Sequence, residues 1–288
     1  MHPNDIPLIN MPAGPGSQAE AEDDMVLDYM PMPSQMNTYD LPIMPEAEEL
    51  AACPETLLLL DTLQQGLDSY RIGQPTLSLE LDKLSVSGLQ LINQILGEGE
   101  VSLVCQSAGL PVNCQETVLA GVWRLRYLNG AGQVTRETLE IAEIPQLIRE
   151  QGFAGSELLQ VDRQQWPVGV LNAPPVLVEL QHKSYGYQAG SEPHVINLSL
   201  LPFSPSDHEL LEQNLGQGAI VILSRGYGNC RISSTRIKPV WRVQYFNSTD
   251  QLILDTLEVV DIPAVACAAQ EDLQDSAERL KEIREVLV

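Results

Sequence analysis

The sequence predicts an α+β protein: two tandem strand-helix-strand-strand-strand repeats packed as one pseudo-symmetric body, preceded by a disordered acidic tail and closed by a C-terminal helix. Three observations carry that expectation. Residues 96–103, LGEGEVSL, recur as LGQGAIVI at 215–222; VWRLRYLN at 122–129 recurs as VWRVQYFN at 240–247; QVTRETLEIAEIP at 133–145 recurs as QLILDTLEVVDIP at 251–263. The offset is 119 in the first block and 118 in the others, so one residue has been gained or lost between them. The first 70 residues hold 13 acids and no Lys or Arg, and all seven methionines lie at or before Met44. Along the last helix Ala269, Leu273, Ala277, Leu280, Ile283 and Leu287 form one apolar stripe.

Residues 1–44 form the tail. Acid, Pro and Gly are dense there, and such a stretch cannot bury enough apolar surface to offset its chain entropy. Two readings stay open: a solvated leader, or a binding arm in which Met25, Met30, Met32, Met36 and Met44 supply adaptable apolar contacts while the acids attract a basic ligand. Residues 45–150 hold an N-terminal helix and the first repeat. Pro54 stands at a first helical position, Glu55 lies in the first turn, and Leu57, Leu60, Leu63 and Leu67 follow at helical spacing. Each repeat then opens on a strand, with LSLEL at 77–81 laid over INLSL at 196–200. A short helix follows, ending at a glycine suited to a left-handed cap. In VWRVQYF, alternation sets Trp241, Val243 and Tyr245 on one face and Arg242 and Gln244 on the other, as Trp123, Leu125 and Tyr127 do in the first copy. The aromatic face reads as core. Residues 151–195 read as a Pro- and Gly-rich connector, with PVLVEL a candidate added strand, and 196–288 as the second repeat and the C-terminal helix. That helix either closes the fold or meets a partner.

Composition narrows the function. Sixteen basic residues against 39 acidic ones give a formal net charge of -23, which repels nucleic-acid phosphate and anionic lipid. A basic partner segment is the complement. The N-terminus lacks a positive region and no apolar run nears the length of a signal core or a membrane span, so a cytoplasmic protein without stable membrane insertion is expected. The five cysteines are scattered and never spaced C-x-x-C, which fits free thiols in a reducing compartment and gives no zinc signature. His182, His194 and His208 are isolated from them. No cofactor is expected.

One segment stands apart. Residues 224–238, SRGYGNCRISSTRIK, read as a basic, thiol-bearing loop, and from Gln213 to Thr249 there is no acid. Arg225, Arg231, Arg236, Lys238 and Arg242 are five of the sixteen basic residues. Gly226 and Gly228 bracket Tyr227 for a tight turn, and Asn229 leads into Cys230. Nearby cations would favour thiolate at Cys230 if their side chains converge. Three readings of Cys230 stay open: a buried structural thiol, a reactive or metal-touching thiol used transiently, and an enzyme nucleophile. The first repeat lacks the motif, with Pro111 laid against Cys230. The candidate partner-binding residues are therefore Arg225, Gly226, Tyr227, Gly228, Asn229, Cys230, Arg231 and Arg236, with Met25, Met30, Met32 and Met36 of the tail.

Taken together, GPGSQ near the N-terminus, LGEGEV, SRGYGNCRI, VWRVQYFNS and LILDTLEVVDIP resemble the hydrogenase expression/formation proteins of the HupH/HyaF type. The resemblance covers nearly the whole chain. It implies a non-enzymatic accessory protein, a chaperone for maturation of a membrane-bound nickel–iron uptake hydrogenase. Its implied client is the immature iron–sulfur small subunit, before export by the twin-arginine route, and a thioredoxin-like maturation protein is an implied co-worker. It carries no catalytic residue onto this sequence. A redox or cluster-processing factor acting through Cys230, and a scaffold for other maturation proteins, are the alternatives.

Overall fold

The structure, a computed structural model, describes residues 45–106, 111–162, 166–226 and 228–287. The tail at 1–44, with Met25, Met30, Met32 and Met36, lies outside the described residues, as does Tyr227. Two helices come first, α1 (Ala47–Ala51) and α2 (Pro54–Ser69). Strand β1 (Leu77–Glu80), helix α3 (Val86–Leu96) and strands β2 (Val101–Cys105), β3 (Val112–Glu116), β4 (Val122–Leu128) and β5 (Val134–Ile141) follow. After α4 (Gln146–Gln151) and α5 (Ala173–Tyr185) come β6 (His194–Asn197), α6 (Pro205–Leu215), β7 (Ile220–Ser224), β8 (Asn229–Ser234), β9 (Val240–Phe246), β10 (Leu252–Val259) and α7 (Gln270–Leu287).

Among the described residues ten strands join one antiparallel sheet in the order β1-β5-β4-β3-β2-β7-β8-β9-β10-β6. Counted inward from its two edges, the sheet runs β1-β5-β4-β3-β2 and β6-β10-β9-β8-β7, and the halves meet where β2 pairs with β7. One transverse row shows the match: Glu80, Thr138, Leu125, Cys114 and Leu103 meet Ile222, Ile232, Val243, Thr256 and Asn197. Apart from its two ends this row is buried. The expected α+β class and the C-terminal helix are therefore found.

Four local expectations are corrected. Each half carries four strands after its helix rather than three. The missed strands are β3 and β8, so much of the segment read as a basic loop is strand; in β8 the inward residues Cys230, Ile232 and Ser234 include a single large apolar side chain, and the polar residues between them mask the alternation. PVLVEL is helical, within α5: Pro174 sits in its first turn, where no N–H is needed, and Val176, Leu177 and Leu180 share a buried face. The lead-in strands match at a different offset, since Leu77 pairs with Ile141 and His194 with Val259. Finally, α3 and α6 end at Gly97 (φ 53°, ψ -161°) and Gly216 (φ 56°, ψ -178°). Positive φ was expected, but the extended ψ turns the chain straight toward the next strand instead of forming a left-handed cap.

The helices form because their ends are satisfied. Ser85 Oγ accepts from Gly88 N at 3.0 Å to cap α3, and Ser204 and Asp207 form a reciprocal capping box on α6. Three apolar cores result. One lies under α2 and α3, where Leu60, Leu63, Ile92 and Ile95 are buried. The C-terminal helix closes this core, through Leu273, Leu280, Ile283 and Leu287, so it packs on the first half rather than the second. Its Ser276 Oγ donates to Ala120 O at 2.9 Å. A second core, under α5 and α6, contains Leu177, Leu180, Leu211 and Leu257. The third, on the opposite sheet face, spans the seam and holds Trp123 and Trp241. Just after α4, Phe153 stacks edge-on against Trp241 with ring centroids 5.1 Å apart. Among the described residues no helix is long and apolar enough to cross a membrane.

Candidate functional site: the cleft at the seam

Where β2 begins and β7 ends, two turns meet. Arg225 N donates to Glu100 O at 3.1 Å. A Cβ on Gly226 would stand 2.3 Å from Glu100 Oε2, and a Cβ on Gly99 would stand 2.2 Å from Thr117 O. Glycine therefore lets both turns close down on their neighbours. Beneath them opens a cleft of about 510 Å³, lined by Gly99, Glu100, Glu116, Ser224, Gly226, Cys267, Asp272 and Arg279 among others. The residues come from both halves of the sheet and from α7.

Glu116 is the most perturbed carboxyl in the cleft. It ends β3 and is only 8% exposed. Burial pushes its pKa up to about 7; Gly121 N–H, donating to Oε1 at 2.9 Å, opposes the rise, and the charges of Asp272 and Glu100 add to it. Arg279 donates through Nη1 to Val118 O at 3.4 Å on the rim. Cys267 is half-buried, and burial pushes its thiol up to about 12. Among the described residues no group of three or more His, Cys, Asp or Glu is arranged to hold a metal ion.

The structure separates the residues that the sequence grouped. Gly226 reaches the cleft and Arg225 is exposed beside it. Gly228 takes φ 100°, as the tight turn requires. Asn229 Nδ2 donates to Asp250 Oδ1 at 3.4 Å. Cys230, in contrast, is buried in the seam-spanning core. Burial pushes its thiol up to about 11, against the hydrogen bond from the Tyr245 hydroxyl. The expectation that neighbouring arginines favour thiolate fails for a geometric reason: successive strand residues face opposite sides of the sheet, so Arg231 projects away from Cys230. Arg236 lies elsewhere, donating through Nη2 to Gln213 O at 3.2 Å at the end of α6. Register also sets Cys230 opposite Tyr245 as Val112 is opposite Tyr127, so the counterpart of Cys230 is Val112 and not Pro111.

The remaining arginine of the acid-free stretch, Arg242, lies on the other sheet face from Trp241 and Val243. Arg242 grips Asp255 through two hydrogen bonds, at 2.6 and 3.0 Å, and stands 3.6 Å from Glu212 of α6. In the first half Arg124 pairs with Glu137 at 2.6 Å and donates to Asn93 of α3. Sequence reasoning missed Glu100, Glu116, Asp272 and Arg279, which are far apart in the chain. One signal was present: the second glycine of LGEGE and of LGQGA, Gly99 and Gly218, both closely overlain by a backbone carbonyl.

The same residues can be set beside known proteins. The profile described as HupH hydrogenase expression protein, C-terminal conserved region, matches residues 55–153 and 170–287. This chain belongs to the HupH family. The two stretches that match the HupH profile contain nearly all of α2 through α4, and α5 through α7. Hydrogenase expression/formation protein HupQ of Azotobacter chroococcum mcd 1 is 52% identical over 280 residues, covering 96% of this chain and 97% of that one. Hydrogenase expression/formation protein HupH of Rhodobacter capsulatus is 42% identical, covering 95% of each. Hydrogenase-1 operon protein HyaF of Escherichia coli (strain K12) is 33% identical, covering 94% of this chain and 93% of that one. A solved chain, hydrogenase expression protein HupH from Thiobacillus denitrificans ATCC 25259, is 25% identical with a TM-score of 0.37; it covers 41% of this chain and 97% of its own.

Proposed function

We propose that this HupH-family chain is a cytoplasmic, non-catalytic accessory protein of hydrogenase maturation. It holds the immature iron–sulfur small subunit of a nickel–iron uptake hydrogenase before twin-arginine export, and works beside a thioredoxin-like protein. The relatives' names support the maturation role. The observation that carries the client-holding role is charge: 39 acids against 16 basic residues, with carboxylates gathered around a cleft at the seam of the sheet. Such a surface attracts a basic partner segment, raises its rate of encounter and repels acidic competitors. The Met-rich tail adds apolar contacts, and the turn at 225–229 with Arg231 and Arg236 supplies the rest of the contact. Cys230 is buried in the seam-spanning core. Its thiol, raised to about 11, is a poor transient cluster ligand at neutral pH, which weighs against the cluster-processing alternative.

We also read the body as a tandem duplication in which each copy begins with its own helix, α2 or α5. The recurring sequence blocks, the mirrored strand order and the two matched stretches support this. Capture of the precursor small subunit by the full chain and by a chain beginning at residue 45 tests the function. Full-length capture with strong weakening on loss of the tail is expected. Undiminished capture by the shorter chain removes the tail from the account, and no capture by either overturns the client-holding role.

A further inference from the structure

The cleft at the seam has the form of a receptor for a single charged group. Glu116 is nine-tenths buried and lines the cavity, yet the one hydrogen bond to its carboxyl group among the described residues is Gly121 N–H to Oε1. The other carboxylate oxygen has no protein partner among them. The groups that face Glu116 come from every wall. Asp272 and Arg279 project from α7, Glu100 from the turn before β2, and Cys267 from the segment before α7. Arg279 reaches the Val118 carbonyl, and the neighbours that act on the Glu116 charge are carboxylates that raise it further. Gly99 and Gly226 themselves add no side chain to the cleft. A cavity of about 510 Å³ is much larger than one water needs and has room for the end of a long side chain.

We propose that this cleft receives one cationic side chain of a partner polypeptide, with Glu116 as its buried counter-ion and Asp272 and Glu100 as flanking carboxylates. The proposal rests on the client-holding role above and names the contact through which the folded body makes it. Placing a cation there supplies the partner that the second oxygen of Glu116 lacks. It also couples binding to a proton. Where Glu116 is protonated, the incoming cation must displace that proton. Affinity then falls roughly tenfold per pH unit below the Glu116 pKa and levels off above it.

The experiment titrates the full chain by calorimetry with short acetylated, amidated peptides bearing one arginine, one lysine or one citrulline, between pH 5 and 8. Saturable binding of the arginine or lysine peptide, no binding of the neutral citrulline peptide and a rise in affinity up to about pH 7 are expected. Glu116→Gln should weaken binding about tenfold or more at pH 8 and flatten the pH profile. Asp272→Asn, which keeps a capping oxygen for Ala269 N, should weaken it less. Thermal melts establish that both variants are folded. Equal binding of cationic and citrulline peptides, no binding of any peptide, or unchanged affinity and pH dependence in a folded Glu116→Gln protein would overturn the proposal. If the small-subunit precursor is still captured in those cases, only the cleft assignment fails. If the peptides bind but the precursor is not captured, the client assignment fails instead.

Discussion

Asp207 fastens two helices at once, and its replacement gives a decisive test of how the second half is held. The side chain is fully buried. Oδ1 accepts from Leu171 N, Asn172 N and Ala173 N at 2.9, 2.8 and 2.8 Å, where α5 begins. Oδ2 accepts from Ser204 N at 2.9 Å and Ser204 Oγ at 2.8 Å, where α6 begins. Burial alone would raise its pKa; the donors from Ala173, Ser204 and Leu171 outweigh burial and hold it well below the usual carboxylate range. Asp207→Ala orphans these donors together. A helix cap contributes about 1 kcal/mol and a buried hydrogen bond to a charged group about 1.5–3 kcal/mol, and such terms overlap. The expected loss is therefore about 3–5 kcal/mol. With a urea slope of roughly 2–3 kcal/mol per molar, the midpoint should fall by about 1–2 M. Because the folded pKa is depressed, this stability is fully present above the unfolded value near 3.8 and is lost as pH falls through the folded value. Asp207→Asn should flatten that acid limb while costing less at neutral pH. A loss below about 1 kcal/mol for the alanine variant, or an unchanged acid limb for the asparagine variant, refutes the reasoning.

Two further outcomes follow from close contacts and burial. Gly99→Ala places a Cβ 2.2 Å from the Thr117 carbonyl, whereas a Cβ at Gly130 meets nothing within 4 Å. The first should lower stability by about 1–3 kcal/mol and the second should leave it nearly unchanged, by thermal melts of the two variants side by side. Thiol labelling with iodoacetamide at pH 8 should be slow in the native protein, because burial protonates Cys230 and Cys267, and should reach all five cysteines in urea. Rapid native labelling mapped to Cys230 would contradict its placement in the core.

Much of the fold was legible because its signals are local. Leu60, Leu63 and Leu67 repeat at helical spacing and are buried in α2; Leu273, Leu280, Ile283 and Leu287 do the same in α7. Trp123 and Trp241 alternate with polar residues in β4 and β9. Strands β3 and β8 were harder to read. Cys114 in VNCQE and Cys230 in NCRISS mark inward positions with small residues, leaving a polar appearance that resembles a loop. The candidate site was only partly legible. Gly226 belongs to both the sequence motif and the cleft, but Cys230 and Arg231, adjacent in the chain, lie on opposite faces of the sheet.

The sequence by itself determined most of the helices and strands, because helical and strand periodicity and caps are properties of short stretches. It also determined the acidic character, a sum over residues that needs no coordinates. Tertiary structure alone decided that β2 meets β7, that α7 crosses to cover the first half, and that Glu100, Glu116 and Asp272 share one cleft. It also decided that Cys230 carries a protonated thiol. These outcomes depend on burial and on distances between residues far apart in the chain, since a charge or a thiol takes its chemistry from the dielectric and the partners that folding puts around it.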